Sequence, residues 1–356
     1  MAKFIDVFED VTKQGTKIPT NLYLENGLYP IIDQGKSAIA GYTNQTEGLF
    51  TDIPAIIFGD HTRIIKYIDS PCFLGADGVK LLKARDDNAN YKYLYYVLCN
   101  ADIPNTGYNR HFKWLKEVEI PEYSIEEQNN IVAQLEKIDT LICLRQQQLS
   151  KLDELVKSRF IELFDDCKDE VLIGEVISIS RGASPRPISA FLTNSDDGVN
   201  WIKIGDVAEN SLYITQTEEK ITLEGAKKSR MVHKGDFILS NSMSFGRPYI
   251  LGINGCVHDG WLIMSNFNDT FNELYLYYAI RSDDVQYQFS GKVNGATVKN
   301  LNSELVKNTF IKLPSMELQE QFATFVEQVD KSKLAIQKSL DQLETLKKSL
   351  MQKYFG

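Results

Sequence analysis

The stretch Ser124-Ile-Glu-Glu-Gln-Asn-Asn-Ile-Val-Ala-Gln-Leu135 returns without a gap 191 residues later as Ser315-Met-Glu-Leu-Gln-Glu-Gln-Phe-Ala-Thr-Phe-Val326. The match continues at the same offset. Ile138 and Asp139 answer to Val329 and Asp330; Leu149, Leu152, Leu155 and Ser158 answer to Leu340, Leu343, Leu346 and Ser349; Phe164 answers to Phe355. Each copy follows an apolar–proline step, Ile120-Pro121 and Leu313-Pro314. Repetition at this separation indicates a duplicated unit, and it governs how every other signal is read.

Both copies carry a seven-residue period. In the first, Leu135, Ile142, Leu149, Val156 and Leu163 form one seam; Ile131, Ile138 and Leu152 form a second, interrupted by Arg145 and Arg159. In the second copy, Phe322, Val329, Ile336, Leu343 and Leu350 form one seam; Val326, Leu340 and Tyr354 form the other, interrupted by Lys333 and Lys347. Such stripes mark helices that pack along their length. Ser124 and Ser315 are placed to cap them, with acidic or amide groups in the first turn. About 40 residues rising 1.5 Å each make a rod of roughly 60 Å. Each helix could cover its own domain, or the two could pair. The seams are longer than one small domain needs, which favours pairing, and a chain that leaves along one helix and returns along the other makes the pair antiparallel. The seam cations belong near the surface or against acidic partners.

The segments before the helices repeat more weakly. Tyr93-Leu-Tyr-Tyr-Val-Leu98 resembles Tyr275-Leu-Tyr-Tyr-Ala-Ile280, and Ala55-Ile-Ile-Phe-Gly-Asp60 resembles Asp236-Phe-Ile-Leu-Ser-Asn-Ser242. Short apolar, β-branched and aromatic runs bounded by Gly, Asn, Asp and Pro predict strands at 29–33, 55–58, 79–82, 200–204, 236–239 and 261–264. The order is domain, long helix, domain, long helix: an α+β fold with two similar globular domains separated by two long antiparallel coiled-coil helices in pseudo-two-fold arrangement. The expected boundaries are 1–123, 124–166, 167–314 and 315–356.

Composition narrows the class of function. The net charge of −9 argues against indiscriminate coating of nucleic acid while leaving room for a local basic face. Cys72, Cys99, Cys143, Cys167 and Cys256 are scattered, and neither they nor His61, His111, His233 and His258 show metal-site spacing. No metal site is expected. The first residues lack a signal-peptide pattern, and no run of about 18 apolar residues suggests a membrane span, so a cytoplasmic chain is expected. Gln34-Gly-Lys-Ser37 imitates a phosphate loop, but Pro30 stands where that motif requires glycine. The acid pairs Asp165-Asp166 and Asp283-Asp284 read as solvated turns. No catalytic residue emerges.

Two β-rich domains, each closed by an apolar–proline step, an S-x-E-x-Q-type cap and a heptad helix, resemble the specificity subunit of Type I restriction-modification complexes. The resemblance covers essentially the whole chain. The second domain adds Arg181-Gly-Ala-Ser-Pro-Arg-Pro187, Trp201-Ile-Lys-Ile-Gly-Asp206, Lys234-Gly-Asp-Phe-Ile238 and Gly295-Ala-Thr-Val-Lys299. The first domain shows no counterpart of Trp-Ile-Lys-Ile-Gly-Asp. The resemblance implies two target-recognition domains reading the halves of a bipartite double-stranded DNA site, with the helices as a ruler. It further implies two methyltransferase subunits as partners, with restriction subunits joining them. S-adenosylmethionine, ATP and magnesium would belong to those partners, and this chain would bind no cofactor.

Side chains that bond base edges or phosphates are the candidate readers. In the first half these are Gln34, Lys36, His61, Arg63, Tyr108, Asn109, Arg110, His111 and Lys113; in the second, Ser184, Arg186, Lys203, Asn241, Ser242, Ser244, Arg247, Thr297, Lys299 and Asn300. Two other readings stay open: a stand-alone DNA-modifying enzyme of unfamiliar type, and a purely structural coiled-coil adaptor.

Overall fold

Ser124 and Glu127 show where the first long helix begins. The Ser124 amide and hydroxyl both donate to the Glu127 carboxylate, at 2.9 and 2.7 Å, while the Glu127 amide donates back to Ser124 Oγ at 3.3 Å. This reciprocal capping box satisfies two backbone donors that a helix start otherwise leaves unpaired. The Ser124 bonds also hold the Glu127 carboxyl below its ordinary value. At the second helix the third position is Leu318, so only the Ser315 half of the cap remains.

The computed structural model describes residues 1–75, 77–207, 211–241, 246–290 and 301–356. The chain divides into two compact units, Met1–Gln148 with Ile336–Gly356, and Leu149–Ala335. The first unit contains β1 (Ala2–Lys3), α1 (Phe4–Val7), β2 (Phe8–Asp10), β3 (Lys17–Ile18), β4 (Tyr29–Ile32), β5 (Gly41–Thr43), β6 (Ala55–Gly59), β7 (Ile65–Ile68), β8 (Phe73–Gly75), β9 (Val79–Ala84), α2 (Tyr91–Cys99), α3 (Phe112–Leu115) and β10 (Glu119–Ile120). The long helix α4 (Ile125–Phe164) begins there. The second unit contains β11 (Glu170–Leu172), α5 (Ile173–Val176), β12 (Ser178–Arg181), β13 (Leu192–Thr193), β14 (Val199–Ile202), β15 (Tyr213–Ile214), β16 (Glu219–Ile221), α6 (Leu223–Lys227), β17 (Arg230–Val232), β18 (Phe237–Ser240), β19 (Pro248–Leu251), β20 (Gly255–Val257), β21 (Trp261–Ser265), α7 (Glu273–Ile280), α8 (Asp283–Phe289), α9 (Ser303–Lys307) and β22 (Phe310–Lys312), followed by the start of α10 (Met316–Phe355).

The same sheet order occurs twice. In the first unit an antiparallel sheet runs β2-β9-β6-β7, and in the second the corresponding order is β12-β21-β18-β19, extended by β15. Every residue of β6 and of β18 is buried, as expected of a strand covered on both faces. A second sheet in each unit, β3-β8-β4-β5 and β13-β16-β14-β20-β17, shares a parallel pair, β4 beside β8 and β14 beside β20, and a two-stranded antiparallel sheet, β1-β10 or β11-β22, completes each unit. Trp201 faces Cys256 in one, and Ile31 faces Phe73 in the other. This corrects the sequence reading of the first domain. Tyr29-Pro-Ile-Ile32 is the counterpart of the Trp-Ile segment, and aliphatic Ile31 fills the place of the indole.

Each unit pairs part of α4 with part of α10. In the first, Tyr354 Oη donates to Gln134 Oε1 at 3.1 Å, and Lys347 Nζ lies 2.5 Å from an Asp139 carboxylate oxygen. In the second, Lys333 reaches Asp153 at 2.6 Å, and the rings of Phe160 and Phe322 meet at 5.4 Å. In both, numbering rises on one helix as it falls on the other, so the pairing is antiparallel. Ile131, Leu135, Ile138, Val156, Phe322, Val326, Val329 and Leu340 are buried; Ile142, Leu149, Leu152, Ile336, Leu343 and Leu350 are half-buried. Lys333 and Lys347 thus interrupt the seam at positions where an aspartate of the facing helix takes the charge.

The Tyr-Leu-Tyr-Tyr helices anchor the long helices to the sheets. Tyr93 packs edge-on against Phe355 at 5.7 Å and donates its hydroxyl to Pro121 O at 2.6 Å. Tyr275 packs edge-on against Phe164 at 4.7 Å and donates to Lys312 O at 2.7 Å. A buried tyrosine needs such a partner for its polar end. Asp165 and Asp166 lie in an exposed turn as expected; Asp283 and Asp284 are also exposed but lie in the first turn of α8, where the helix dipole favours acids.

Candidate nucleic-acid interface

In the first unit, the turn leaving the central strand β6 organises the polar loops. Asp60 N donates to Gly78 O at 2.7 Å, and Asp60 O accepts from His111 N at 2.8 Å. In the second unit Asn241 follows β18 in the same way: its amide donates to Gly260 O at 3.1 Å, and its carbonyl accepts from Leu301 N at 3.0 Å. In both domains, therefore, the end of the buried strand fastens the turn before the strand paired beside it, β9 or β21, and the segment before the short helix, α3 or α9.

Around Asp60 the structure gathers several predicted readers. Gln34, from the loop after β4, accepts from His61 N with its side-chain oxygen at 3.1 Å. The His61 and Tyr108 rings stack with centroids 4.5 Å apart and planes 7° from parallel. His61 Nδ1 sits 3.1 Å from Asn109 O. Tyr108 is 87% exposed, and Lys36, Asn109, Arg110 and Lys113 are also exposed. Lys113 Nζ rests 4.0 Å from the centre of the Trp114 ring.

Two members of that set have structural work instead. His111 is fully buried, with Nδ1 2.9 Å from Asp60 O and Nε2 3.3 Å from Thr106 Oγ1, so its ring secures the loop and cannot reach a duplex. Arg63 adopts a left-handed backbone (φ 63°), uncommon for a residue with a side chain, and spends one guanidinium nitrogen on Ile103 O at 3.0 Å.

In the second unit Asp259 is the hub. Its carboxylate accepts from Ser184 Oγ at 2.8 Å and from Arg186 at 3.1 Å; its carbonyl accepts from Arg181 Nε at 3.0 Å and Asn241 Nδ2 at 3.2 Å. The Ser184 hydroxyl bond holds the carboxyl below its ordinary value, with His258 and Arg186 adding smaller attraction against the opposing effect of burial. The Arg186 side chain is 80% exposed, so it can pivot from Asp259 to a phosphate or base. Asn241 is buried and its amide is committed, which removes it as a direct reader. Lys203 is bound to Glu219 at 3.0 Å, and that bond raises its pKa while matching its charge locally. Arg247 is half-buried, 5.8 Å from the Tyr249 ring. Ser242, Ser244, Thr297, Lys299 and Asn300 lie outside the described residues.

Sequence reasoning did not single out Asp60 and Asp259, whose bonds fasten the segments that carry the candidate residues. The signal for Asp60 was present in the alignment of Ala-Ile-Ile-Phe-Gly-Asp60 with Phe-Ile-Leu-Ser-Asn241. Among the described residues no group of three or more His, Cys, Asp or Glu could hold a metal ion, and no helix is long and apolar enough to cross a membrane.

The sequence model of the Type I restriction modification DNA specificity domain matches residues 2–154 and again 166–346. The chain belongs to this family. Its two matches cover the two copies of the duplicated unit. The specificity subunit of the Escherichia coli Type I restriction enzyme EcoR124I/EcoR124II is 23% identical over 358 residues, spanning 92% of this chain and 85% of that protein. The fold is shared with the S subunit of a Type I restriction-modification system from M. genitalium, with a TM-score of 0.58, 18% identity and coverage of 99% and 95% of the two chains. A chain from a structural study of complex assembly and conformational transition in the type I R-M system gives 0.57 at 15% identity, with the same coverage. The two family matches, 2–154 and 166–346, include the loop clusters around Asp60 and Asp259 respectively.

Proposed function

We propose that this chain reads a bipartite DNA site, one half by each α+β domain, and directs partner methyltransferase and restriction subunits to it. The observation that carries the reading is the recurrence of one loop clamp, at Asp60 and at Asn241, beneath exposed polar and cationic side chains in both domains. Tyr108, Asn109, Arg110, Lys113 and Lys36 form the first reading surface, with His61 beneath Tyr108; Ser184, Arg186 and Arg247 contribute to the second. Most would contact phosphates, which position the duplex, and a few would contact base edges, which specify it.

The chain itself is non-catalytic in this reading. Methyl transfer from S-adenosylmethionine and ATP- and magnesium-dependent cleavage belong to the partners. The test uses purified chain with and without the methyltransferase subunit, cognate duplex and labelled S-adenosylmethionine. Label should enter DNA only when the partner is present. Incorporation by the chain alone would make it an enzyme.

A further inference from the structure

We propose that Asp60 is a positioning residue for DNA recognition: without touching DNA, it sets the pose of the loop 104–110 and thereby the bases the first domain accepts. This rests on the reading of the first domain as a DNA reader. Asp60 is 5% exposed, so a duplex cannot reach it. Its Oδ1 accepts from Phe112 N at 2.7 Å, and its carbonyl accepts both from His111 N at 2.8 Å and, at 2.9 Å, from His111 Nδ1. The downstream end of the loop is thus fixed three times to one residue.

The rest of the same turn fixes the remainder of the loop. Arg63 holds its upstream end through Ile103 O, His61 Nδ1 meets Asn109 O, and the His61 ring supports Tyr108. The turn is itself tight: Arg63 N donates to Gly59 O at 2.7 Å, and Gly59 N to Ile64 O at 2.8 Å. Left-handed backbone at Arg63 is a conformation that persists only where surrounding bonds determine it. The segment Asp60–Arg63 therefore acts as a template, and the loop laid on it presents the exposed Tyr108, Asn109 and Arg110. A carboxylate with no route to DNA, bonded to the base of a reading loop, affects recognition through geometry alone. Asn241 keeps the same backbone bonds in the second domain, so a side-chain amide fits this position in the fold.

The test uses the full chain assembled with its methyltransferase subunit. The probes are the duplex bearing the motif the wild-type complex methylates, and duplexes scrambled in one half or the other. Asp60→Ala is expected to reduce discrimination against the duplex scrambled in the first domain's half by about tenfold, equivalent to about 1.4 kcal/mol, leaving the other half unchanged. Asp60→Asn retains an oxygen acceptor for Phe112 N and is expected to restore discrimination. Should Asp60→Ala fail to fold, Thr106→Val, which removes the hydroxyl that meets His111 Nε2 and accepts from Asn109 Nδ2 and so loosens the loop where Asp60 holds it, carries the same expectation in weaker form. Unchanged discrimination in a folded variant, equal loss at both halves, or failure of Asp60→Asn to rescue would overturn the proposal. A wild-type complex with no half-specific discrimination would instead overturn the reading on which it rests.

Discussion

Tyr108 lies flat on His61, ring centroids 4.5 Å apart, with its own outer surface open to solvent. One face of an aromatic ring is thereby made rigid while the other remains free for a nucleic-acid partner. Tyr108→Ala should weaken cognate binding by about 1–2 kcal/mol, the scale of an interface aromatic, while the thermal midpoint stays unchanged because the ring contributes little to any core. Titration of duplex into the assembled complex, alongside a melting curve, measures both. Full affinity in the variant would remove Tyr108 from the reading surface.

Variants of Arg247 and Arg186 test for two kinds of contact. If Arg247 bonds a guanine edge, Arg247→Ala costs about 1–3 kcal/mol and relaxes one base position. Arg186, hinged on Asp259 and exposed, is expected to act on phosphate. Arg186→Ala should weaken binding to all sequences alike and make the salt dependence of binding shallower by about one ion. Affinities measured across a salt series on cognate and scrambled duplexes distinguish the two.

Asp259 also makes a pH prediction. Its folded-state pKa lies below the ordinary 3.8, first because of the Ser184 hydroxyl bond. A depressed acid contributes stability that is complete above 3.8 and is lost as pH falls through the folded value. Carbon-detected NMR of the Asp259 carboxyl should therefore show a midpoint below 3.8, and Ser184→Ala should move it upward. A midpoint unmoved by that substitution would show that the hydroxyl is not its cause.

The two glutamines of the repeated cap are equivalent in sequence and unequal in surroundings. Gln319 is fully buried: its nitrogen donates to Pro314 O at 2.9 Å and Thr270 O at 3.2 Å, and its oxygen accepts from Asn272 N at 2.8 Å. Gln128 is half-buried and makes the matching bond to Tyr123 O at 2.9 Å. Gln319→Ala leaves buried polar groups unpaired and should cost about 2–4 kcal/mol in urea unfolding, against about 0.5–1.5 kcal/mol for Gln128→Ala. Equal losses would contradict the burial difference.

These glutamines show why some of the design could be read from sequence. The S-x-E-x-Q cap and the heptad positions act within a few residues of themselves, so their spacing carries their meaning. Lys333 and Lys347 stood out because they broke a regular stripe, and the aspartates facing them explain the break. Strand partners were less visible. The match of β4 to β14 depends on lying beside β8 and β20, and Ile31 in place of Trp201 erased the motif that would have marked it. The candidate readers were chosen by side-chain type, but type does not reveal burial. His111 and Asn241 carry groups suited to DNA and spend them inside the domain, while Asp60 and Asp259 carry the wrong charge for DNA and hold the loops.

The seams of the long helices yield a stability prediction. Leu135 is fully buried, and Leu135→Ala should cost about 2–5 kcal/mol by leaving a cavity. Lys347→Ala removes a partly exposed ion pair with Asp139 and should cost about 1 kcal/mol or less. Urea unfolding of the two variants gives the ranking directly; a larger loss for the lysine would mean the helices are held by charge rather than by apolar packing.

The central claim is that each domain reads its own half of the DNA site. Replacing residues 171–312 with the corresponding part of a relative of different specificity, then sequencing methylated genomic motifs in cells, tests it most directly. The account predicts a motif in which one half is exchanged for the donor's and the other is unchanged. A chimaera that assembles and methylates, yet alters both halves or neither, would contradict it.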